Sequence, residues 1–282
     1  MVRFAFTGSF CLLALSLCGC TSFFTTRAIE SFTAGLAAGD LTQLQSTTSA
    51  EFQQRALRVA EAVDSLAILP LPRDGWDVKK VEEVSEDVRL VTVETGDPPR
   101  ETQYRLKREA AGAGRSTRRW VVDDVILTQA RPGGQPPLTK SVTDQMDLLI
   151  TVQEFLKAWH SGGREETLAP LHADLRKELE DLAPVHLAQI TDRMLEGVKL
   201  NDFQPEAEIR TNRATVKFPK PGGTLVLDLA RQERSESRWV VRDASVYSTR
   251  GGDPVSASHL ASCVVPATKL FQAYGEGDRD KL

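Results

Sequence analysis

Two tryptophan–aspartate pairs have the residue types and spacing that best suit acid–base chemistry. Trp120 precedes Asp124 by four positions, and Trp239 precedes Asp243 by the same distance. Because side chains alternate between the two faces of a strand, residues four apart are predicted to share a face. A carboxylate beside an indole at the mouth of a cavity suits a general base. The structural interpretation is favoured: the indole packs in the core and the carboxylate marks the fraying end of the strand. The four residues are therefore candidates for a pocket lining, and no catalytic residue is assigned.

Other chemical motifs are missing from the sequence. The four histidines show none of the spacings of metal ligands, such as His-x-x-x-His, and single histidines usually lie at the surface or cap helices; they are His160, His172, His186 and His259. His160 is expected in the last turn of a helix, where a cation is favoured. No glycine-rich phosphate loop and no Gly-x-Ser-x-Gly elbow occurs, and Gly112–Arg115 suits a hairpin loop. The sequence predicts no metal and no cofactor.

Charge and cysteine content exclude further classes of protein. The 35 basic and 39 acidic residues are interspersed, with a formal net charge of -4, so no basic face for nucleic acid is predicted. If Cys11, Cys18 and Cys20 belong to an N-terminal export and anchoring segment, Cys263 alone remains in the mature chain. A lone thiol forms neither an internal disulfide nor a zinc site, so the fold must depend on packing.

The first twenty residues have the features of an export signal. Arg3 is followed by an apolar run from Phe10 to Leu17 that is too short for a permanent span. The signal ends in Leu17-Cys18-Gly19-Cys20, which resembles the lipobox of bacterial lipoproteins. That resemblance implies cleavage before Cys20, whose thiol then carries a diacylglycerol with acyl chains such as palmitate. The chain is thus expected in the cell envelope, anchored to a membrane by its lipid. Thr21 after the cysteine resembles the pattern of outer-membrane lipoproteins. The alternatives are an ordinary cleaved signal and an uncleaved anchor.

The rest of the chain contains an internal repeat. Arg119-Trp120-Val121-Val122-Asp123-Asp124 is echoed 119 residues later by Arg238-Trp239-Val240-Val241-Arg242-Asp243. Two breaker-rich stretches recur at nearly the same distance. We therefore divide the chain into a signal peptide (1–19), a first α+β repeat (20–130), a linker (131–140), a second repeat (141–249), a linker (250–258) and the start of a third repeat (259–282).

The start of the third repeat is indicated by spacing. Leu270, Tyr274, Gly277-Asp278 and Leu282 follow the pattern of Phe32, Leu36, Gly39-Asp40 and Leu44. An amphipathic helix without its sheet cannot bury its apolar face alone. We expect that the chain is a piece of a longer protein. The alternative is that this helix docks on the preceding repeat.

Each repeat is predicted to place helices before an antiparallel meander of strands. The first helix of the second repeat carries an apolar stripe from Leu148 to Trp159. Second helical stretches follow at Ala50–Leu69 and Pro170–Val198, the latter interrupted by Pro184. Strands are predicted at Trp76–Val84, Val88–Thr95, Thr102–Arg108 and Arg119–Leu127, and then at Leu200–Ile209, Ala214–Phe218, Thr224–Ala230 and Arg238–Tyr247. The fold class is α+β, with helices covering one face of a sheet.

This element order, the Ala-Gly-Asp-x-x-x-Leu of residues 38–44 and the terminal Trp-Val-Val-x-Asp strand resemble the nuclear transport factor 2-like superfamily, which includes SnoaL-like proteins and ketosteroid isomerase. The main alternative is another small helix-plus-meander envelope module. The resemblance implies tandem cone-like units with a curved sheet, room for a small apolar ligand, and sheet-to-sheet pairing between repeats or in a homodimer. The catalytic part does not carry over. In ketosteroid isomerase an aspartate base faces a tyrosine and a second acid. No such set can be assigned here with Tyr104, Tyr247 or Tyr274.

The sequence thus favours a non-catalytic, lipid-anchored envelope protein whose repeats bind other proteins, envelope surface or a small apolar ligand. One alternative is a SnoaL-like isomerase or hydrolase in the periplasm. A pocket with two or more carboxylates of raised pKa would support that enzyme, and a cone filled by Phe, Leu and Trp would oppose it. A second alternative is a spacer that holds a further domain away from the membrane.

Overall fold

The computed structural model describes residues 15–110, 118–129, 137–199, 206–210, 212–232 and 238–276, the side chains of 15–22, 206–208, 272–273 and 275–276 excepted. The chain divides into two compact units, residues 1–147 and 148–282. Both are α+β, with helices preceding an antiparallel sheet, as the sequence predicts.

The described part of the first unit opens with four helices. They are α1 (Leu15–Ala38), α2 (Leu41–Thr47), α3 (Ala50–Ala56) and α4 (Ala62–Ile68). Gly39 adopts φ 63° after α1, a conformation that suits glycine at a helix end. The Asp40 side chain then accepts from Gln43 N at the start of α2, and the Ser49 side chain accepts from Phe52 N at the start of α3. The single helical stretch predicted over Ala50–Leu69 is therefore two short helices.

Five antiparallel strands follow in sequence order. They are β1 (Trp76–Ser85), β2 (Val88–Thr95), β3 (Arg100–Ala110), β4 (Arg118–Gln129) and β5 (Leu138–Ser141). The first four match the predicted strands to within two residues at each end. The fifth was not predicted: β5 overlaps the last three residues of the stretch interpreted as a linker and extends to Ser141, and its four residues pair with the end of β4.

The second unit has the same element order. Its first helix, α5 (Val142–Ser161), starts in the first unit and is followed by α6 (Arg164–Leu168), α7 (Ala173–Glu180) and α8 (Pro184–Leu195). Pro184 is the first residue of α8, where its missing N–H costs no helical hydrogen bond. The predicted break at this proline is confirmed.

The second sheet is also a five-stranded antiparallel meander. It contains β6 (Glu206–Ile209), β7 (Arg213–Lys220), β8 (Gly223–Arg231), β9 (Trp239–Ser248) and β10 (Val255–Ser256). The short β10 lies in the second predicted linker and pairs with β9. The chain then enters α9 (Ala257–Glu276), which contains Leu270 and Tyr274 of the predicted third repeat.

Strand alternation places the core between helices and sheet in each unit. In the first unit Tyr104 and Leu106 of β3 are fully buried, and the Tyr104 ring contacts Phe32 of α1 edge to face. In the second unit Leu225, Leu227 and Leu229 of β8 are all buried in one apolar cluster with α5, α7 and α8. The buried positions are two residues apart, as a sheet with one covered face requires.

Several sequence-based interpretations lie outside the described residues. They are residues 1–14 of the signal peptide, the hairpin loop at Gly112–Arg115, residues 131–136 of the first linker, residues 200–205 of a predicted strand, and residues 277–282 of the third repeat. None of the described helices is both long enough and apolar enough to span a membrane.

Candidate functional site

The predicted lipid-attachment residue lies in a helix. The backbone of Cys20 falls within α1, and its side chain is outside the described part of the chain. Its modification therefore stays a prediction.

A β-bulge separates Trp120 from Asp124. Strand β4 pairs Val122 with Leu106 and Asp124 with Arg105, so Asp123 is an extra residue that has no paired residue on β3. One extra residue reverses the alternation of side chains beyond it. Trp120 therefore shares the core face of β3, and Asp124 lies on the other face. The prediction that the two share a face is wrong, because it assumed a regular strand.

The second pair is separated in the same way. Strand β9 pairs Val241 with Leu229 and Asp243 with Asp228, which leaves Arg242 as the extra residue. Trp239 is almost completely buried on the core side, and Asp243 lies on the opposite face. The prediction of a shared face is wrong here too.

The carboxylate of Asp124 binds the first turn of α5. Its Oδ1 accepts from Thr143 Oγ1 at 2.7 Å and from Thr143 N at 3.1 Å, and also from Val125 N at 2.8 Å. The local cap of the same helix is Ser141, whose hydroxyl accepts from Asp144 N. A helix begins with N–H groups that lack partners in the helix, and a negative charge there is favourable. Asp124 is thus a remote cap in the middle of β4, rather than the fraying strand end that was expected.

Burial alters the acidity of this cap. Desolvation raises the pKa of Asp124, while hydrogen bonds from Ser141, Thr143 and Val125 act in the opposite direction. The carboxyl group is therefore held in a site where its charge is partly disfavoured by burial and partly stabilised by donors.

Asp243 performs the same task in the second unit. Ser258 Oγ donates to Asp243 Oδ2 at 3.0 Å and Ser258 N to Oδ1 at 3.4 Å, in the first turn of α9. Ser256, like Ser141, is the local cap and accepts from His259 N. In each unit the strand that carries the tryptophan therefore also caps the helix that follows the sheet.

The two tryptophans lie beneath arginines. The Arg89 guanidinium carbon is 4.6 Å from the centroid of the Trp120 ring, and Arg231 is 4.8 Å from that of Trp239. Such stacking suits the ring electrostatics and covers the apolar surface of each indole. It is a packing arrangement and supplies no acid or base beside the ring.

The histidines do not converge on one another. His172 caps α7 by accepting from Asp174 N, and His160 lies in the last turn of α5, as expected. Cys263 Sγ lies 3.9 Å from His259 Nε2, one turn away on α9. Among the described residues no group of three or more His, Cys, Asp or Glu side chains is placed to hold a metal ion.

The space between helices and sheet is filled by large side chains in both units. Phe32, Phe52 and Tyr104 fill it in the first unit, and Phe155, Trp159 and Trp239 fill it in the second, all at most 2% exposed. The Tyr104 hydroxyl has no hydrogen-bond partner among the described residues, and burial raises its pKa.

A buried ionic cluster in the first unit was not anticipated. Asp147 of α5 is fully buried; its Oδ1 accepts from Arg58 Nη1 at 2.8 Å and its Oδ2 lies 3.6 Å from Arg55 Nε. Arg55 also pairs with Asp144 of α5 and with exposed Glu51. Glu51 and Arg55 are one helical turn apart, but no local pattern links the two arginines to Asp144 and Asp147 of α5. The cluster fastens the start of α5 to the helices of the first unit.

The described residues form clefts that are open to solvent, and two of them are large enough to consider as binding sites. In the first unit a cleft of about 1380 Å³ lies between the 69–75 segment, the β2–β3 turn and the ends of β4 and β5. In the second unit a groove of about 630 Å³ runs between α8 and α9, lined by His186, Gln189, Cys263, Ala267 and Phe271 among others. The four candidate residues line neither of these clefts.

Comparison of the chain with protein-family models, with curated proteins and with solved structures found no match in any of the three.

Proposed function

We propose that the chain is a lipid-anchored protein of the bacterial cell envelope whose α+β units are tandem, cone-like modules of non-catalytic function. The anchor is the acylated Cys20. The modules serve as a scaffold for other proteins or envelope surface, with a small apolar ligand as the alternative cargo.

One observation carries the non-catalytic part of the proposal. The two carboxylates best suited to general-base chemistry, Asp124 and Asp243, both bind the first turn of a following helix. A carboxylate that accepts from a hydroxyl and a backbone N–H in the fold has a structural task. The same arrangement in both units supports a repeated building plan in which each sheet prepares the start of the next helix.

The filled interiors support the same conclusion. A general base needs space for its substrate within hydrogen-bond reach. Aromatic side chains occupy this space in both units, and Asp124, the carboxyl group with a raised pKa, lies on the opposite face of its sheet. An isomerase or hydrolase is therefore less well supported than a binding scaffold.

The anchor is tested by the intact mass of the protein from the membrane fraction, comparing wild type with Cys20→Ala. We expect a wild-type chain that starts at residue 20 and is heavier by its acyl groups, with both features lost in the variant. Cys18→Ala is the matched control, since it removes a thiol two residues away within the cleaved signal. An unmodified wild-type chain would overturn the lipoprotein proposal.

The non-catalytic role is tested by a double variant, Asp124→Asn with Asp243→Asn. Each asparagine keeps an acceptor oxygen for the helix cap and removes the base. The double variant is expected to restore every phenotype that the wild-type gene restores to a deletion strain. A folded double variant that fails to do so would favour the enzyme.

A further inference from the structure

We propose that the exposed apolar face of α9 binds a further α+β unit. The same polypeptide supplies this unit beyond residue 282, and the unit packs its sheet against this face. The inference rests on the tandem arrangement in the proposed function and is independent of the lipid anchor. It is argued from a position-by-position comparison of α9 with α5.

The two helices start in the same structural setting. Each follows a short strand, β5 or β10, that pairs with the tryptophan strand of its unit. Each carries a hydroxyl residue in its first turn, Thr143 or Ser258, that donates to the remote aspartate cap. This contact aligns Thr143 with Ser258 and fixes the correspondence of every later position in the two helices.

The first turns of both helices are buried against the unit that precedes them. Val142 and Met146 of α5 are fully buried, and so are their counterparts in α9, Ala257 and Ala261. Ala257 and Ala261 belong to the apolar core of the second unit. One face of α9 is therefore already covered in the way expected from α5.

The remaining apolar face of α5 lies in the core of the second unit. Five of its residues are at most 3% exposed there and pack with the helices and sheet of that unit: Leu148, Val152, Phe155, Leu156 and Trp159. This face shows which kind of surface such a helix covers, namely the apolar side of an antiparallel sheet.

All five counterparts in α9 are exposed. They are Cys263, Ala267, Leu270, Phe271 and Tyr274, and the last three are 50%, 73% and 75% exposed. Exposed aromatic and aliphatic side chains grouped on one helix face are unfavourable in water and indicate a covering partner. Apolar or aromatic side chains occupy the corresponding positions of both helices: Leu270 corresponds to Phe155, Phe271 to Leu156 and Tyr274 to Trp159.

A groove lies beside this face. About 630 Å³ lies between α8 and α9, with Cys263 and Phe271 on one wall and His186 and Gln189 on the other. A second copy of this chain is a weaker occupant, because the sheets of both described units are already covered by their own helices.

The thiol of Cys263 reports on this face directly. It is exposed, and it is the one cysteine that follows Cys20 in the sequence. We would compare its rate of alkylation by N-ethylmaleimide in the 282-residue chain and in the full natural gene product isolated from cells. The control is the double variant Cys263→Ser with Ile68→Cys, which moves the thiol to a position of the first unit that is 83% exposed.

We expect Cys263 to react at the rate of an open thiol in the 282-residue chain, and at least about tenfold more slowly in the full product, since a covered site reacts only after local opening. The control thiol should react equally in both. Equal rates at Cys263, or a gene product without residues beyond 282, would overturn the proposal. Concentration-dependent protection of the 282-residue chain would also overturn it and point to a second copy. None of these three results would affect the mass test of Cys20.

A second variant separates docking from folding. Phe271→Glu should leave the thermal unfolding of the 282-residue chain unchanged, because the side chain is exposed, whereas Leu156→Glu should unfold it. In the full product, Phe271→Glu should restore fast alkylation of Cys263. Continued protection with Phe271→Glu would contradict the docking of a sheet on this face.

Discussion

The side chain of Asp124 accepts two hydrogen bonds from Thr143, one from its backbone N–H at 3.1 Å and one from its hydroxyl at 2.7 Å. The two residues come from the middle of β4 and the first turn of α5. A carboxylate on a sheet thus completes the N-terminus of the helix that follows the sheet. Asp243 and Ser258 reproduce this relationship in the second unit.

Loss of the remote cap should destabilise the first unit. Asp124→Ala leaves the Thr143 N–H without this acceptor, and we expect the free energy of unfolding in urea to fall by about 1–2 kcal/mol. Asp124→Asn keeps an acceptor and should lose less. Asp243→Ala and Asp243→Asn should differ from the wild type in the same way. An alanine variant as stable as the wild type would show that the hydrogen bonds to Thr143 contribute nothing.

The same carboxyl group should impose a pH dependence. Because burial raises the pKa of Asp124 above its ordinary 3.8, the folded state holds the proton at pH values where the unfolded state has lost it. The free energy of unfolding then decreases as the pH rises from about 3.8 through the raised pKa. Subtracting the urea-unfolding profile of Asp124→Asn from that of wild type should isolate this decrease. A difference profile that rises over the same range would contradict the raised pKa.

Removal of the buried charge at Asp147 should be costly. Asp147→Ala removes the fully buried carboxylate that accepts from Arg58 Nη1 at 2.8 Å, and breaking a buried ion pair typically costs about 3–5 kcal/mol. Glu51→Ala is the matched control, because it removes an exposed partner of Arg55, and such pairs contribute about 0–1 kcal/mol. Thermal unfolding monitored by circular dichroism compares the two. Equal losses of stability in the two variants would show that the buried ion pair stabilises the fold no more than the exposed one.

The hydroxyl of Tyr104 should be dispensable for folding. It is buried without a partner among the described residues, so Tyr104→Phe should leave the free energy of unfolding unchanged or raise it by about 1–3 kcal/mol. Tyr104→Ala should lose about 3–5 kcal/mol, since it removes a large core ring. Urea titrations at neutral pH measure both changes.

Alkaline pH gives an independent check on Tyr104. Burial raises its pKa above the ordinary value of 10.0, so the unfolded chain ionises first. The unfolded state then holds fewer protons, and stability should fall as the pH rises above about 10. Tyr104→Phe should lack this contribution to the decrease. An identical alkaline profile for wild type and variant would mean that Tyr104 is not protected from ionisation.

Local patterns in the sequence were sufficient to predict most of the main helices and strands. Period-two alternation marked the main strands, and the glycine after α1 and Pro184 at the start of α8 marked helix boundaries. These signals act within a few residues, so they survive without knowledge of the partner strand. The short strands β5 and β10 escaped prediction because two to four residues carry too little alternation.

The functional interpretation of the tryptophan–aspartate pairs required tertiary structure. Residue types and spacing identified Trp120 and Asp124 as a recurrent pair, but the face that each occupies depends on the register with β3. A single extra residue, Asp123, reverses that face, and nothing in the local sequence marks it.

The sequence by itself determined the α+β order, the recurrence of the tryptophan strand and the spacing that relates α9 to α5. Only the tertiary structure decided that Asp124 and Asp243 are helix caps, that Asp147 is buried with two arginines, and that the apolar face of α9 is exposed. The physical reason is distance along the chain: Asp147 and Arg58 are 89 residues apart. Propensity and periodicity describe neighbouring residues, whereas a cap, an ion pair or a covered face exists only when remote segments meet.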